Sequence, residues 1–157
     1  MAMQTYVFYE KDKQPDLETL AAAIKQKGID YAFGDGFDLQ ASEYAFAPGK
    51  FEGLDSGFDF IRDLYNPDDW NWEEHDLPIL GHPYYIAVFN TYSNAQEIVG
   101  MMVVSSVLAE ITGGVMLSDF FDDELIKSGS AFEMAKEIID SSRDQFDGPS
   151  KIRAAMA

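Results

Sequence analysis

The sequence predicts an α+β fold, in which about three helices pack on one face of a mixed or mostly antiparallel sheet. Runs rich in Phe and Tyr alternate with glycines, helical patterns begin at capping residues, and the elements follow as strand, helix, several strands, helix, strand and helix. With 157 residues the chain is long enough for one domain, residues 1–157, with a core of its own. Roughly the last ten residues are expected to form a flexible tail.

The first helix is marked at both ends. It follows a short aromatic and β-branched strand at residues 6–9, and Asp16 is placed to cap its start. Gly28 allows the left-handed turn that ends it. Its apolar stripe consists of Leu17, Leu20, Ala21 and Ile24.

The region after this helix is typical of strands joined by turns. Strands are predicted near residues 29–33, 43–47 and 58–64. Phe58 and Phe60 share one face of the last strand, and Arg62 is a further candidate for that face.

The second half contains the clearest strand and the most apolar helix. Residues 84–90 form an unbroken apolar and aromatic run, which predicts a central strand buried on both faces. Ser93 and Gln96 match a capping box, and the helix that follows continues to Thr112, where Gly113 and Gly114 stop it.

The chain is predicted to end in a strand and a helix. Residues 115–117 form a strand, and Ser130 with Glu133 matches a second capping box for a helix that continues to about Phe146.

The apolar stretch 98–111 has 14 residues, fewer than the ~20 that a membrane-spanning helix needs. It is therefore expected to be a buried helix.

Composition excludes several classes of function. The chain has no Cys and a formal net charge of −17, so a disulfide framework, a thiolate metal site and a cysteine nucleophile are ruled out. A strongly acidic protein is repelled by nucleic acid and by anionic membranes, and neither is expected as a direct partner. The N-terminal residues lack the pattern of a secretory signal, which predicts a cytoplasmic location.

No motif for catalysis, cofactor binding or metal binding is present. Residues 34–38 resemble a phosphate loop only briefly, because Asp35 and Asp38 would repel a phosphate, and a plain turn is expected. His75 and His82 are too loosely spaced for a metal site. The acids of residues 119–124 could form a catalytic or ligand-binding loop, although a solvated loop explains them equally well.

The most unusual segment is residues 51–80, which holds nine acidic residues against one basic residue and both tryptophans. Trp is favoured at the centre of protein interfaces, and surrounding carboxylates would steer a basic partner. The alternative is that one Trp fills the core and the acids are solvated. The predicted partner-binding residues are Asp68, Asp69, Trp70, Trp72, Glu73, Glu74 and Asp76.

A buried strand, a capped apolar helix, and the run Leu108-Ala109-Glu110-Ile111-Thr112-Gly113-Gly114-Val115 occupy residues 84–119. This arrangement resembles the C-terminal half of small bacterial immunity proteins that neutralise toxins delivered by type VI or contact-dependent secretion. The resemblance covers about a quarter of the chain. It implies a cytoplasmic antidote that binds one toxin and occludes its active site, with no catalytic residues to carry over.

The leading hypothesis is therefore a non-catalytic immunity protein for a basic, cytoplasm-acting toxin such as a nuclease. One alternative is a small enzyme or ligand-binding protein that uses the acidic loop 119–124, and a second is a DNA mimic. The chain is expected to be a monomer or a homodimer, since Val103, Val104, Val107 and Leu108 leave little polar surface on the middle of their helix.

Overall fold

The computed structural model describes residues 3–65, 84–92, 94–122 and 124–145. Within these ranges the chain forms one antiparallel sheet of seven strands and three α-helices, as the predicted α+β class requires. The elements in chain order are β1 (Met3–Glu10), α1 (Leu17–Gln26), β2 (Tyr31–Phe33), β3 (Ala45–Phe51), β4 (Leu54–Leu64), β5 (Tyr84–Thr91), α2 (Ala95–Thr112), β6 (Val115–Ser118), β7 (Leu125–Lys127) and α3 (Ser128–Arg143). Short 3₁₀ turns at Lys11–Lys13 and Asp119–Phe121 follow β1 and β6.

The strand order is β2-β3-β4-β5-β1-β6-β7, with every neighbouring pair antiparallel. The predicted central strand is confirmed, because β5 is the fourth of seven. Strands β3 and β4 form a hairpin that continues to the pair Phe51 and Leu54. The two residues between them, Glu52 and Gly53, have φ angles of 51° and 79°, which suit the type I′ turn that favours a tight hairpin.

The predictions are confirmed for α1 and for the end of α2 at Thr112 and Gly113, whereas the starts of α2 and α3 differ from them. Asp16 caps α1 through a 2.7 Å hydrogen bond from Thr19 N. Helix α2 is capped by Asn94, one residue after the predicted position, and the Asn94 side chain accepts a hydrogen bond from Gln96 N at 3.0 Å. Helix α3 begins at Ser128 with no side-chain cap, two residues before the predicted start, because the chain enters it directly from β7.

Helix α2 lies at the centre of the core, between the sheet and α3. Val99, Met102, Val103 and Val107 have no exposed surface, which confirms α2 as the most buried helix. With 18 residues, α2 is longer than the predicted apolar stretch, and by length and composition it could cross a membrane. However, 78% of it is buried inside the protein. That burial is what a core helix shows.

The four residues that suggested a dimer are all buried in the core of the chain. Val103, Val104, Val107 and Leu108 are fully buried against the sheet and the other helices. They therefore offer no surface to a second subunit, and the reason for expecting a homodimer is removed.

The sheet is apolar on both faces. Tyr9 and Phe89 point toward the helices, whereas Phe8, Ile86 and Leu117 form a second cluster on the opposite face. Phe8 and Ile86 have no exposed surface. This pattern confirms the prediction, made from the unbroken run at residues 84–90, that the central strand is buried on both sides.

Candidate functional site

The predicted partner-binding residues lie outside the described part of the chain. Asp68, Asp69, Trp70, Trp72, Glu73, Glu74 and Asp76 all fall in residues 66–83, as do His75 and His82. Their role stays a prediction. The candidate site described below is formed by other residues.

The acidic loop 119–124 has a structural role in the described residues. Asp119 Oδ2 accepts a hydrogen bond from Gln4 N at 2.9 Å, which fixes the start of β1. Ser118 caps the 3₁₀ turn through a hydrogen bond from Phe120 N at 3.2 Å. One oxygen of the Asp119 carboxylate therefore supports the backbone of β1.

A pocket of about 130 Å³ lies where the loop after β2 meets β3. Its lining comprises Asp35, Gly36, Phe37, Asp38, Ala41, Ala45, Phe46, Ala47, Pro48 and Phe60. We call it the acidic pocket.

The loop that forms one wall of the acidic pocket is held at several points. Gly34 N donates to Pro48 O at 2.8 Å, and a Cβ on Gly34 would lie 2.8 Å from the same oxygen, so glycine is needed for this close approach. Farther along, Ala41 O accepts from Arg62 N at 2.8 Å. The buried Leu39 anchors the loop between these bonds. The wall is therefore fixed on both sides of Asp35 and Asp38.

Aromatic rings form the apolar part of the acidic pocket. The Phe37 ring stacks on Phe33 with a 5.1 Å centroid separation and an 8° interplanar angle. It also meets Phe60 edge to face at 5.3 Å and packs near Phe58. These contacts hold the Phe37 ring in place between the core and the pocket.

The two carboxylates of the acidic pocket are exposed and form no ion pair in the described residues. Asp38 Oδ1 accepts a hydrogen bond from Gln40 N at 2.9 Å, which sets the orientation of its carboxylate. The turn before it places Gly36 at φ 80°, with Phe37 N donating to Gly34 O at 3.4 Å. The sequence interpretation of residues 34–38 as a turn agrees with these contacts.

The acidic pocket is smaller than a site for a cofactor. Drug-sized ligands occupy pockets of roughly 300–1,000 Å³, whereas this one has about 130 Å³. Among the described residues, no group of three or more His, Cys, Asp or Glu side chains is placed to hold a metal ion. The pocket therefore suits one side chain or a fragment of similar size.

A second polar cluster lies at the end of the sheet, around Arg62. Its guanidinium stacks on the Tyr85 ring, with Cζ 3.7 Å from the centroid. Gln14 Oε1 accepts hydrogen bonds from Arg62 Nη1 at 3.0 Å and from the Tyr9 hydroxyl at 2.6 Å. Burial raises the pKa of Tyr9, and the nearby Arg62 charge opposes this shift. The cluster ties β1, β4 and β5 together, and Arg62 lies on the face predicted for it.

The acidic pocket was not predicted from the sequence, although a signal for it existed. Residues 28–49 contain four carboxylates, five aromatic rings and no Lys or Arg. The same combination drew attention to residues 51–80. What could not be predicted was that Phe60, from another strand, would complete the pocket.

In comparisons with known proteins, no family model matched the sequence, and neither a curated protein nor a solved structure matched the chain.

Proposed function

We propose that this chain is a non-catalytic binding protein of the immunity type, which binds a basic, cytoplasm-acting toxin such as a nuclease and occludes its active site. One observation carries the proposal: residues 28–49 have no basic side chain, and their four carboxylates, Asp30, Asp35, Asp38 and Glu43, form no ion pair in the described residues.

Electrostatics gives this surface a preferred partner. The whole chain carries a formal charge of −17, so its long-range field attracts basic proteins and repels acidic ones. A local excess of unpaired carboxylates then orients the encounter and increases the association rate. A nuclease is a suitable partner, because it must itself be basic to bind nucleic acid.

The chemistry of the acidic pocket favours binding over catalysis. Its lining consists of Asp, Gly, Phe, Ala and Pro residues. The lining contains no Ser, His or Lys that could act as a nucleophile or as a general base. The alternative enzyme site at residues 119–124 uses Asp119 to hold the backbone of Gln4. Both observations support the binding hypothesis.

Co-expression tests the proposal directly. The proposal predicts a toxin gene beside this gene, whose toxin domain should stop growth when expressed alone in the cytoplasm. Co-expression of this chain should restore growth. The purified pair should form a one-to-one complex whose affinity falls as salt is raised, because exposed charges are screened. A toxin that stays active and forms no complex, even at low salt, would contradict the proposal.

Two double variants that each remove two negative charges distinguish the effect of charge on residues 28–49 from the effect of the overall net charge. Asp30→Asn with Glu43→Gln removes two exposed charges from residues 28–49, and Glu133→Gln with Glu137→Gln removes two exposed charges from α3. The first pair should slow association with the toxin more than the second pair. Equal slowing by both pairs would show that only net charge matters, and would argue against residues 28–49 as the contact surface.

A further inference from the structure

We propose that the acidic pocket binds one arginine side chain of the partner, with the guanidinium lying against the aromatic rings and hydrogen bonded to Asp35 and Asp38. This inference rests on the proposed function for its biological setting. The binding chemistry itself is a property of the pocket and can be tested without the toxin.

Shape limits the occupant to a single side chain. The pocket has about 130 Å³ of space, and Asp35 and Gly36 of its lining are exposed to solvent. No side chain lies within 4 Å of the position that a Cβ on Gly36 would occupy, which leaves an approach past this residue. A guanidinium on a flexible stem can enter such a space, whereas a nucleotide or a folded cofactor is too large.

The lining matches a guanidinium in charge and in form. A guanidinium is planar, so it can stack on an aromatic ring such as that of Phe37, and its donors can reach more than one carboxylate. An ammonium group lacks the planar face. The same two carboxylates that exclude a phosphate from this turn therefore favour an arginine.

The protein holds one of its own arginines by the same combination. Arg143 Cζ lies 5.2 Å from the centroid of the Phe51 ring, and Arg143 Nε lies 2.8 Å from Glu52 Oε1. One aromatic ring and one carboxylate are sufficient to position that side chain on the surface. The acidic pocket offers two carboxylates, several rings and a concave shape.

The pocket is also rigid before anything binds. Hydrogen bonds from Gly34 N to Pro48 O and from Arg62 N to Ala41 O fix the wall loop to β3 and β4. Asp38 is oriented by Gln40 N at 2.9 Å. Preorganised groups lose little conformational freedom when a ligand is bound.

The test uses small probes and NMR chemical shifts of the full chain. The probes are N-acetyl-arginine amide, its neutral isostere N-acetyl-citrulline amide, and N-acetyl-lysine amide. The arginine probe should shift amides within residues 34–48 in a saturable manner, with a dissociation constant in the millimolar range that is typical of one weak contact. The citrulline probe should produce no saturable shift, and the lysine probe should bind more weakly than arginine.

Three variants connect the shifts to the pocket. Asp35→Asn with Asp38→Asn should weaken arginine binding at least about tenfold, because charge-assisted hydrogen bonds are lost. Glu133→Gln with Glu137→Gln, the matched charge control on α3, should leave it unchanged. Ala45→Leu should block the pocket without altering any charge, and it keeps the test valid if the double Asp variant fails to fold.

Each result decides the assignment. Three results would overturn the assignment of the pocket as an arginine site. They are equal binding of the arginine and citrulline probes, equal loss of arginine binding in the two double variants, and full binding of the arginine probe to Ala45→Leu. Equal binding of lysine would overturn the guanidinium assignment in favour of a general cation site. If the arginine probe binds as expected but the toxin is not neutralised, the pocket assignment stands and the proposed function fails.

Discussion

Glu110 of α2 and Lys27 at the end of α1 form an ion pair, with 2.8 Å between Lys27 Nζ and Glu110 Oε1. The other oxygen of the same carboxylate accepts a hydrogen bond from Phe132 N of α3 at 3.1 Å. Lys27 Nζ also lies 5.0 Å from the centroid of the Phe132 ring. One partly buried carboxylate thus joins all three helices at one end of the core.

We expect Glu110→Ala to destabilise the protein by about 1.5–3 kcal/mol, because a backbone donor and a charged donor both lose their acceptor. Lys27→Ala should cost less, about 0.5–1 kcal/mol, since Phe132 N keeps its partner and the ion pair is partly exposed. Urea unfolding measures both values. Lys50→Ala, which breaks an exposed ion pair with Asp55, is the control and should change stability by less than about 0.5 kcal/mol. Equal costs for Glu110→Ala and Lys27→Ala would show that the hydrogen bond to Phe132 contributes nothing.

The close packing of α2 on β4 depends on Gly100. A Cβ at this position would lie 2.5 Å from Ser56 Oγ and 3.2 Å from Gly57 N. Gly100→Ala should therefore destabilise the protein by about 1–3 kcal/mol through overpacking, although Ala is the better helix former. Combining it with Ser56→Ala should recover part of the loss, because the nearest atom is removed.

The control for this prediction is Gly129→Ala in α3, where no atom lies within 4 Å of the added Cβ. It should stabilise the protein by up to about 1 kcal/mol through helix propensity. Thermal or urea unfolding distinguishes the two outcomes. If both alanine variants stabilise, the contact between α2 and β4 is looser than the structure shows.

Tyr31 gives the protein a stability change at alkaline pH. Burial raises the pKa of its phenol, and the nearby Ser56 hydroxyl opposes this shift without forming a well-aligned hydrogen bond to the phenol oxygen. An unfolded tyrosine ionises near pH 10, so the folded state binds more protons above that pH and stability falls as the pH rises further. Tyr31→Phe should be neutral or stabilising at pH 7 and should reduce this loss above about pH 10.

Urea titrations at neutral and alkaline pH provide the measurement. Tyr92→Phe, at a tyrosine that is 55% exposed, serves as the matched control for the substitution. The same alkaline loss in Tyr31→Phe as in the parent protein would contradict the prediction.

The predicted partner-binding residues between Asp68 and Asp76 lie outside the described residues. Their role can still be tested by substitution. Once a partner is identified, Glu73→Gln with Glu74→Gln should slow association, and the effect should shrink as salt rises. Trp70→Ala or Trp72→Ala, whichever side chain contacts the partner, should cost about 2 kcal/mol or more at any salt. Unchanged rates in folded variants at all four positions would leave residues 28–49 as the contact surface.

The protein is expected to sediment as a monomer at both low and high salt. The four apolar residues at the middle of α2, Val103, Val104, Val107 and Leu108, are buried inside the chain. Two copies with a formal charge of −17 each also repel one another. Analytical ultracentrifugation tests this directly. A dimer that forms only at high salt would show that charge repulsion alone had kept the copies apart.

Local chemistry was sufficient to predict the fold class and several elements. The apolar run at residues 84–90 predicted a central strand, because only a strand buried on both faces lacks polar alternation. Asp16 and Gly113 marked helix ends, because capping depends on a few adjacent residues. These signals act over short distances in the chain, so they can be read from residue types alone.

Only the tertiary structure decided which surfaces remain free and which groups meet. Val103, Val104, Val107 and Leu108 of α2 could have served a dimer, but packing against the sheet and the other helices buries all four. Strand β7 was not predicted, because its three residues depend on pairing with β6 rather than on their own propensity. The acidic pocket depends on the register that places Ala45 opposite Phe60. Such a register is set by the summed contacts of whole strands, and short-range sequence patterns do not contain that information.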